Sequence, residues 1–230
     1  MSKAKTAARK SGGSDESRLR SAVIETARAM SESGLSPCRS GNVSARFADG
    51  MLITPTGLAY ADMRPKDIVY VAADGTVPGK QKIPSSEWQF HVSAYAARPD
   101  MSAVVHTHSL YAVVLSCAGR AIPAFHYMVA VAGGADIPLV PYATFGSAEL
   151  AAHVASGLAG RRACLMAHHG AIAMGETLAD ALQLAHEVEV LAEQYVKLLA
   201  LGEPAVLSEA EMAVVLERFK TYGQQRPDAD

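Results

Sequence analysis

Cysteine is scarce in this chain. Three residues in 230, Cys38, Cys117 and Cys164, are widely spaced, and none forms a CxxC pair. An odd, dispersed set excludes a disulfide framework and a cysteine zinc knuckle, and it fits a reducing compartment. Cys117 and Cys164 lie in apolar runs and read as small core residues, whereas Cys38 sits beside a Gly-rich turn and reads as exposed. An excess of one charge is missing too: the formal net charge is −2. No global field gathers nucleic acid or an anionic membrane, so an anionic substrate has to be caught by a local site. No apolar run reaches about 18 residues, which excludes a transmembrane helix. The first seventeen residues lack the apolar stretch of a signal peptide, and a cytoplasmic protein is expected. GxGxxG and Walker sequences are absent, which removes the main support for nucleotide binding. Internal repeats and linkers are also absent.

What is present is apolar residues, which make up half the chain, enough for one large core in a single domain. Residues 1–17 are polar and small, with Lys3, Lys5, Arg9 and Lys10, and read as a disordered arm. Residues 18–33 have helical periodicity and stop at Gly34. Two short strands flank Ala48-Asp49-Gly50, and Asp67 to Ala72 is a third. A helix capped by Ser85 or Ser86 runs to about Ala97, before Pro99. Strand 103–106 follows, then a helix from Ser109 to about Cys117 and a strand from Ile137 to Val140. Ser147 caps a short helix. Strands Cys164–Ala167 and Ala171–Met174 meet at a His-His-Gly turn. Thr177 caps a long helix ended by Gly202, and Ser208-Glu209-Ala210-Glu211 is a capping box for the last one. Helices alternate irregularly with hairpin-like strand pairs. The expected fold is therefore α/β, with a mixed, mainly antiparallel sheet flanked by helices, not a doubly wound parallel one.

Chemistry concentrates in a few places. His106-Thr107-His108 follows the apolar run Ala103-Val104-Val105. Side chains two apart on a strand share a face, so both imidazoles can address one divalent metal such as zinc. Glu87 upstream and the His168-His169 pair downstream offer a carboxylate and a third histidine to complete a four-ligand shell. A carboxylate beside a metal can ligate it, or can take a proton from a metal-activated carbon acid. Three polar clusters, Ser40-Gly41-Asn42-Val43-Ser44, Thr54-Pro55-Thr56-Gly57 and Pro84-Ser85-Ser86-Glu87, present hydroxyls and backbone N–H groups at turns. Such groups bind phosphate without a basic residue. His91 shares a helix face with Glu87 and reads as packing or as support behind the ligands. His126, His153 and His186 lack metal-like spacing and read as structural.

These residues resemble the class II aldolase and adducin head family. The likeness lies in GNVSARFADGMLITPTGLAY, IPSSEWQFHVSAYAARPDMSAVVHTH, IPAFHYMVAVAGG, PYATFG, HHGAIA, LAHEVEVLAEQY and AVVLERFKTYG, which extend from about residue 18 to 223. It implies a catalytic domain at 18–223 followed by a flexible tail at 224–230. It implies one Zn2+ per subunit, with Mn2+ or Co2+ as alternatives, held by His106, His108, His169 and Glu87. Glu87 would also shuttle the proton, and Tyr127 would enter a neighbouring subunit's site and protonate the aldehyde oxygen. Asn42, Thr56, Gly57, Ser85 and Ser86 would hold the phosphate, while Phe145 and Tyr222 would shape the aldehyde end. The implied assembly is a cyclic homotetramer with sites between subunits.

The implied reaction is reversible cleavage of a ketose 1-phosphate to dihydroxyacetone phosphate and an aldehyde. The substrate would be of the L-fuculose, 5-deoxyribulose or methylthioribulose 1-phosphate kind. Alternatives on the same fold are a pentulose-phosphate epimerase, a sugar-acid phosphate decarboxylase and a non-catalytic binding domain. Two positions depart from the pattern. Arg39 replaces a Thr beside the phosphate pocket, and either adds a bidentate phosphate contact or points to solvent. Thr107 replaces an Asn between the zinc histidines and is expected to face away from the metal.

Overall fold

The computed structural model describes residues 2–221, with the side chains of residues 2–13 and of Arg39 outside the description. Tyr222 and the tail at 224–230 therefore lie outside the described residues. Seven strands form one sheet in the order β3-β2-β1-β4-β7-β6-β5. They are β1 (Asn42–Phe47), β2 (Gly50–Ile53), β3 (Val69–Ala72), β4 (Ala103–Thr107), β5 (Leu139–Val140), β6 (Ala163–Met166) and β7 (Gly170–Gly175). Every pairing is antiparallel except β5 with β6. This is the mixed, mainly antiparallel α/β sheet that the irregular alternation predicts.

Among the described residues, five α-helices cover its two faces, α1 (Ser2–Glu32), α2 (Trp88–Ala97), α3 (Leu110–Cys117), α4 (Ala148–Gly157) and α5 (Leu178–Leu199), and a sixth, α6 (Glu209–Phe219), packs on the Tyr127–Ala132 segment. Strand alternation divides the core. Val43, Ala45, Val105 and Ala173 pack with α1, α3 and α5, whereas Val104, Ile172 and Met174 pack with α2 and α4. Helix α5 is the main buttress, burying Ala181, Leu184, Ala185, Val188, Leu191, Ala192 and Tyr195 along one stripe. No helix among the described residues is long and apolar enough to cross a membrane.

Local signals place most boundaries. Thr177 and Ser208 make capping boxes with Asp180 and Glu211, and Ser147 accepts the Leu150 N–H. Gly34 takes φ 81 just beyond α1. Three expectations need correction. Helix α1 begins at Ser2, so helix replaces the expected disordered arm; Lys3, Ala4, Lys5, Ala7, Ala8, Arg9 and Lys10 are good helix formers, and the helix runs on through Gly12-Gly13. Cys117 is exposed, because it ends α3 on the helix face turned from the sheet, while Cys38 is exposed and Cys164 buried as expected. Neither Ser85 nor Ser86 caps α2. Its N-cap position belongs to Glu87, and no side chain makes the capping bond.

Candidate metal centre

His106 lies on the α2 side of β4, where alternation also puts Val104. Thr107 is buried and by the same alternation faces away, as expected. The strand ends at Thr107, so His108 lies one residue past it instead of on it. The loop nevertheless folds its ring back, with its Nε2 2.9 Å from His106 Nε2. His169 arrives from the β6–β7 turn, where His168 takes φ 55. Strand β7 pairs Ala171 with Thr107, and a Cβ on Gly170 would sit 2.3 Å from the Thr107 carbonyl oxygen. Glycine there lets the turn close against the His108 loop. The three imidazole centroids lie 4.8 to 4.9 Å apart.

Glu87 approaches from the α2 side. Freed from capping its own helix, its carboxylate turns inward, with Oε1 2.8 Å from His169 Nε2 and Oε2 3.2 Å from His106 Nε2. One ligand atom from each of Glu87, His106, His108 and His169 lies within 4.8 Å of the others. A tetrahedral site with bonds of about 2.0–2.1 Å spaces its ligand atoms about 3.3–3.4 Å apart, slightly wider than the 2.8, 2.9 and 3.2 Å pairs and inside the 4.8 Å span. His106 Nδ1 lies 2.9 Å from the Ala171 carbonyl oxygen. Donating its proton there leaves Nε2 bare for a ligand bond. Burial, and then the charges of His106 and His169, push the His108 imidazole down to about 3, so it stays neutral. Burial pushes the Glu87 carboxyl up, but the charge and hydrogen bonds of His106 and His169 outweigh that and hold it well below the usual carboxylate range. Three imidazole nitrogens and an ionised carboxylate fit a divalent transition-metal ion.

Two clefts meet at this cluster. One, of about 220 Å³, is lined by Ser40, Asn42, Thr56, Gly57, Ser85, Ser86 and Glu87. An isolated bridge between Pro55 and Pro84 brings the Thr56 and Ser85 segments together. The second, of about 410 Å³, is lined by Ser40, Ser86, Glu87, His108, Tyr142, Phe145, His168 and His169. Ser40, Ser86 and Glu87 belong to both. The cluster thus stands between a hydroxyl-lined compartment suited to a phosphate and one with aromatic walls.

The structure brings together Asn42, Thr56, Gly57, Ser85, Ser86, Glu87, His106, His108, His169 and Phe145. It does not bring in Tyr127, which is 47% exposed, stacks on His126 and lines neither cleft. Sequence reasoning missed Tyr142 as a wall; it meets the His168 ring edge-on at 6.0 Å, and its place in PYATFG three residues before Phe145 was the available signal. It also missed Glu189. This α5 carboxylate accepts the N–H groups of Tyr111 at 2.8 Å and Ala112 at 3.0 Å, at the start of the helix that follows His108. Ser109 holds the N-cap position of α3, yet its hydroxyl makes no capping bond. No local signal in the sequence points from residue 189 to residue 111.

Residues 21–196 match the family model of the class II aldolase and adducin N-terminal domain. The chain is 55% identical over 205 residues to the 5-methylthioribulose-1-phosphate/5-deoxyribulose-1-phosphate aldolase of Rhodospirillum rubrum, covering 89% of this chain and 92% of that protein. It is 50% identical over 210 residues to the L-fuculose phosphate aldolase of Escherichia coli strain K12, covering 91% and 97%. A solved L-fuculose 1-phosphate aldolase superposes with a TM-score of 0.85 at 38% identity, covering 88% of this chain and 96% of that one.

Proposed function

Because this chain belongs to the class II aldolase and adducin N-terminal domain family, we propose that it carries out zinc-dependent, reversible aldol cleavage of a ketose 1-phosphate. The products are dihydroxyacetone phosphate and an aldehyde. Fuculose 1-phosphate and the 5-deoxy- or methylthio-ribulose 1-phosphates are the substrate kinds, in keeping with the relatives' names. The observation that carries this reading is the four-residue metal cluster at the junction of the two clefts, with Ser40, Ser86 and Glu87 common to both.

When bound, the metal supplies Lewis-acid stabilisation for negative charge developing on the ketose oxygens. The chain's own residues do the rest. Hydroxyls of Thr56, Ser85 and Ser86, with amide and backbone groups of Asn42 and Gly57, hold the phosphate. Cleavage of the C3–C4 bond leaves a carbanion equivalent on the dihydroxyacetone phosphate half, and Glu87 delivers a proton to C3. In synthesis Glu87 removes that same proton. Ionised at neutral pH, Glu87 is ready to remove the C3 proton in synthesis; in cleavage it must first take up a proton, which balances the one the C4 hydroxyl gives up as the C3–C4 bond breaks and C4 becomes the aldehyde carbon. Phe145, 65% exposed in the second cleft, receives the aldehyde substituent. Tyr127, exposed and away from its own chain's cluster, acts in a neighbouring subunit of a cyclic tetramer, where its phenol protonates the aldehyde oxygen. The catalytic domain occupies residues 18–223, and the protein works in the cytoplasm.

The test is a panel of ketose 1-phosphates and their unphosphorylated sugars, with coupled detection of dihydroxyacetone phosphate and elemental analysis of the purified protein. Zinc at one equivalent and turnover confined to phosphorylated ketoses are expected. Replacing His106, His108 or His169 with Ala should remove metal and activity together. Full turnover by chelated, metal-free protein, or equal efficiency without the phosphate, refutes the reading.

A further inference from the structure

Behind the Glu87 carboxylate lies a buried ladder of polar side chains. Asn42 Nδ2 donates to Glu87 Oε2 at 2.8 Å, and Asn42 Oδ1 faces His91 Nε2. On the far side of that ring, Ser44 Oγ is 2.7 Å from His91 Nδ1 and 2.9 Å from the Tyr95 hydroxyl. Arg46 ends the series, its guanidinium 4.7 Å from the Tyr95 ring centroid. The spacing explains why the two elements mesh. Asn42, Ser44 and Arg46 alternate on β1, rising about 6.7 Å per two residues. Glu87, His91 and Tyr95 recur every four residues along α2, rising about 6 Å each time. The two repeats nearly match, so strand and helix side chains interleave one for one.

With His91 neutral, the ladder has only one consistent polarity. An ionised carboxylate can only accept, so Asn42 must turn its NH2 toward Glu87. The amide oxygen then faces His91, whose Nε2 must carry the proton. A neutral imidazole carries one N–H, so Nδ1 is bare and accepts from the Ser44 hydroxyl. With that hydrogen used, Ser44 Oγ accepts from Tyr95. His91 is fully buried, and burial together with the charge of His106 pushes it down to about 3, in line with a neutral ring. Phe90 stacks on it at 4.9 Å and holds its plane. The flipped amide would set a carbonyl against the carboxylate, with two acceptors facing each other. An amide does not pass a proton on as an imidazole or hydroxyl does, so the ladder orients groups and does not conduct.

We propose that His91 is the positioning residue for proton transfer: its Nε2-protonated ring locks the Asn42 amide, which in turn fixes the Glu87 carboxylate between the metal cluster and the reacting carbon. This deepens the aldolase reading and rests on it.

Three measurements on the full-length protein test the idea. The first is NMR of histidine-labelled, metal-free protein. It should show His91 neutral, with its proton on Nε2, slowly exchanging; a proton on Nδ1 or a charged ring overturns the proposal. The second compares His91→Leu with His91→Gln, whose side-chain amide can replace the Nε2 donor. His91→Leu should keep its metal and lose about 10- to 100-fold in kcat and in exchange of the C3 proton of dihydroxyacetone phosphate. Its KM should change less than about threefold, since Thr56, Gly57, Ser85 and Ser86 still hold the phosphate. His91→Gln should recover most of that loss. Wild-type exchange in the Leu variant, loss of its metal, or a Gln variant as slow as Leu overturns the proposal. The third is Ser44→Ala, which removes the partner of Nδ1 but leaves Asn42 facing Nε2; the proton should stay on Nε2 in the same spectrum, and a proton moved to Nδ1 counts against the proposal. If the wild-type protein cleaves no ketose phosphate, the functional reading fails, while the spectrum of metal-free protein still decides the ladder's polarity.

Discussion

Removing the Glu189 carboxylate should loosen the helix that carries the metal loop. Helix α3 starts two residues after His108, and its first N–H groups have no partner within the helix. Glu189, half-buried on α5, accepts from Tyr111 and Ala112 at 2.8 and 3.0 Å. Ser109 provides no substitute, since its hydroxyl is buried without a hydrogen bond. Losing a cap costs about 1 kcal/mol per N–H group, and losing a carboxylate at a helix N-terminus costs up to about 1 kcal/mol more. Glu189→Ala should therefore cost about 2–3 kcal/mol. At roughly 2–4 °C per kcal/mol for a chain of this size, Tm falls by about 4–12 °C. Glu189→Gln keeps one acceptor oxygen and loses the charge, so it should fall between wild type and Ala. Urea and thermal unfolding of metal-free protein measure this without interference from metal binding. Metal affinity should follow the same order, because His108 is anchored by the start of α3. An Ala variant within about 0.5 kcal/mol of wild type, the range of an ordinary surface change, would refute the capping argument.

Glu87→Gln should leave metal and substrate affinity roughly intact and slow exchange of the dihydroxyacetone phosphate C3 proton by about 10²–10⁴-fold, the loss expected when a general acid/base is removed; near-wild-type exchange would move the role to another residue. Co-expressing Glu87→Gln with Tyr127→Phe should form mixed oligomers in which some sites keep both groups, with activity well above either parent. Activity equal only to the average of the two parents would place Tyr127 outside a shared site.

Helix termini, turns and strand periods are set by neighbours a few residues apart, and these were legible in the chain. Ser147, Thr177 and Ser208 cap the helices they precede. The hairpin around Ala48-Asp49-Gly50 and the apolar strand before His106 also lie where local pattern puts them. The histidine ligand set and Glu87 were legible as residue types with the right chemistry, and the family likeness assigned them their partners. Local reasoning failed where a distant group competes. Ser85 and Ser86 precede α2 as good caps should, but Glu87 takes the cap position with its carboxylate drawn to His106 and His169 instead of to its own helix.

The sequence by itself determined which elements form, which of their faces are apolar and which residues could bind a divalent metal, because each depends on side-chain identity and short-range spacing. Only the tertiary structure decided which of these meet. Register on the sheet sets Asn42 directly beside His106 and Ala171 beside Thr107. The similar rise of two strand residues and four helix residues interleaves β1 with α2 behind Glu87. A carboxylate 78 residues away in the chain caps α3. Such contacts join residues far apart in sequence, and their geometry is fixed by sheet pairing and close packing, which no short window of the chain contains.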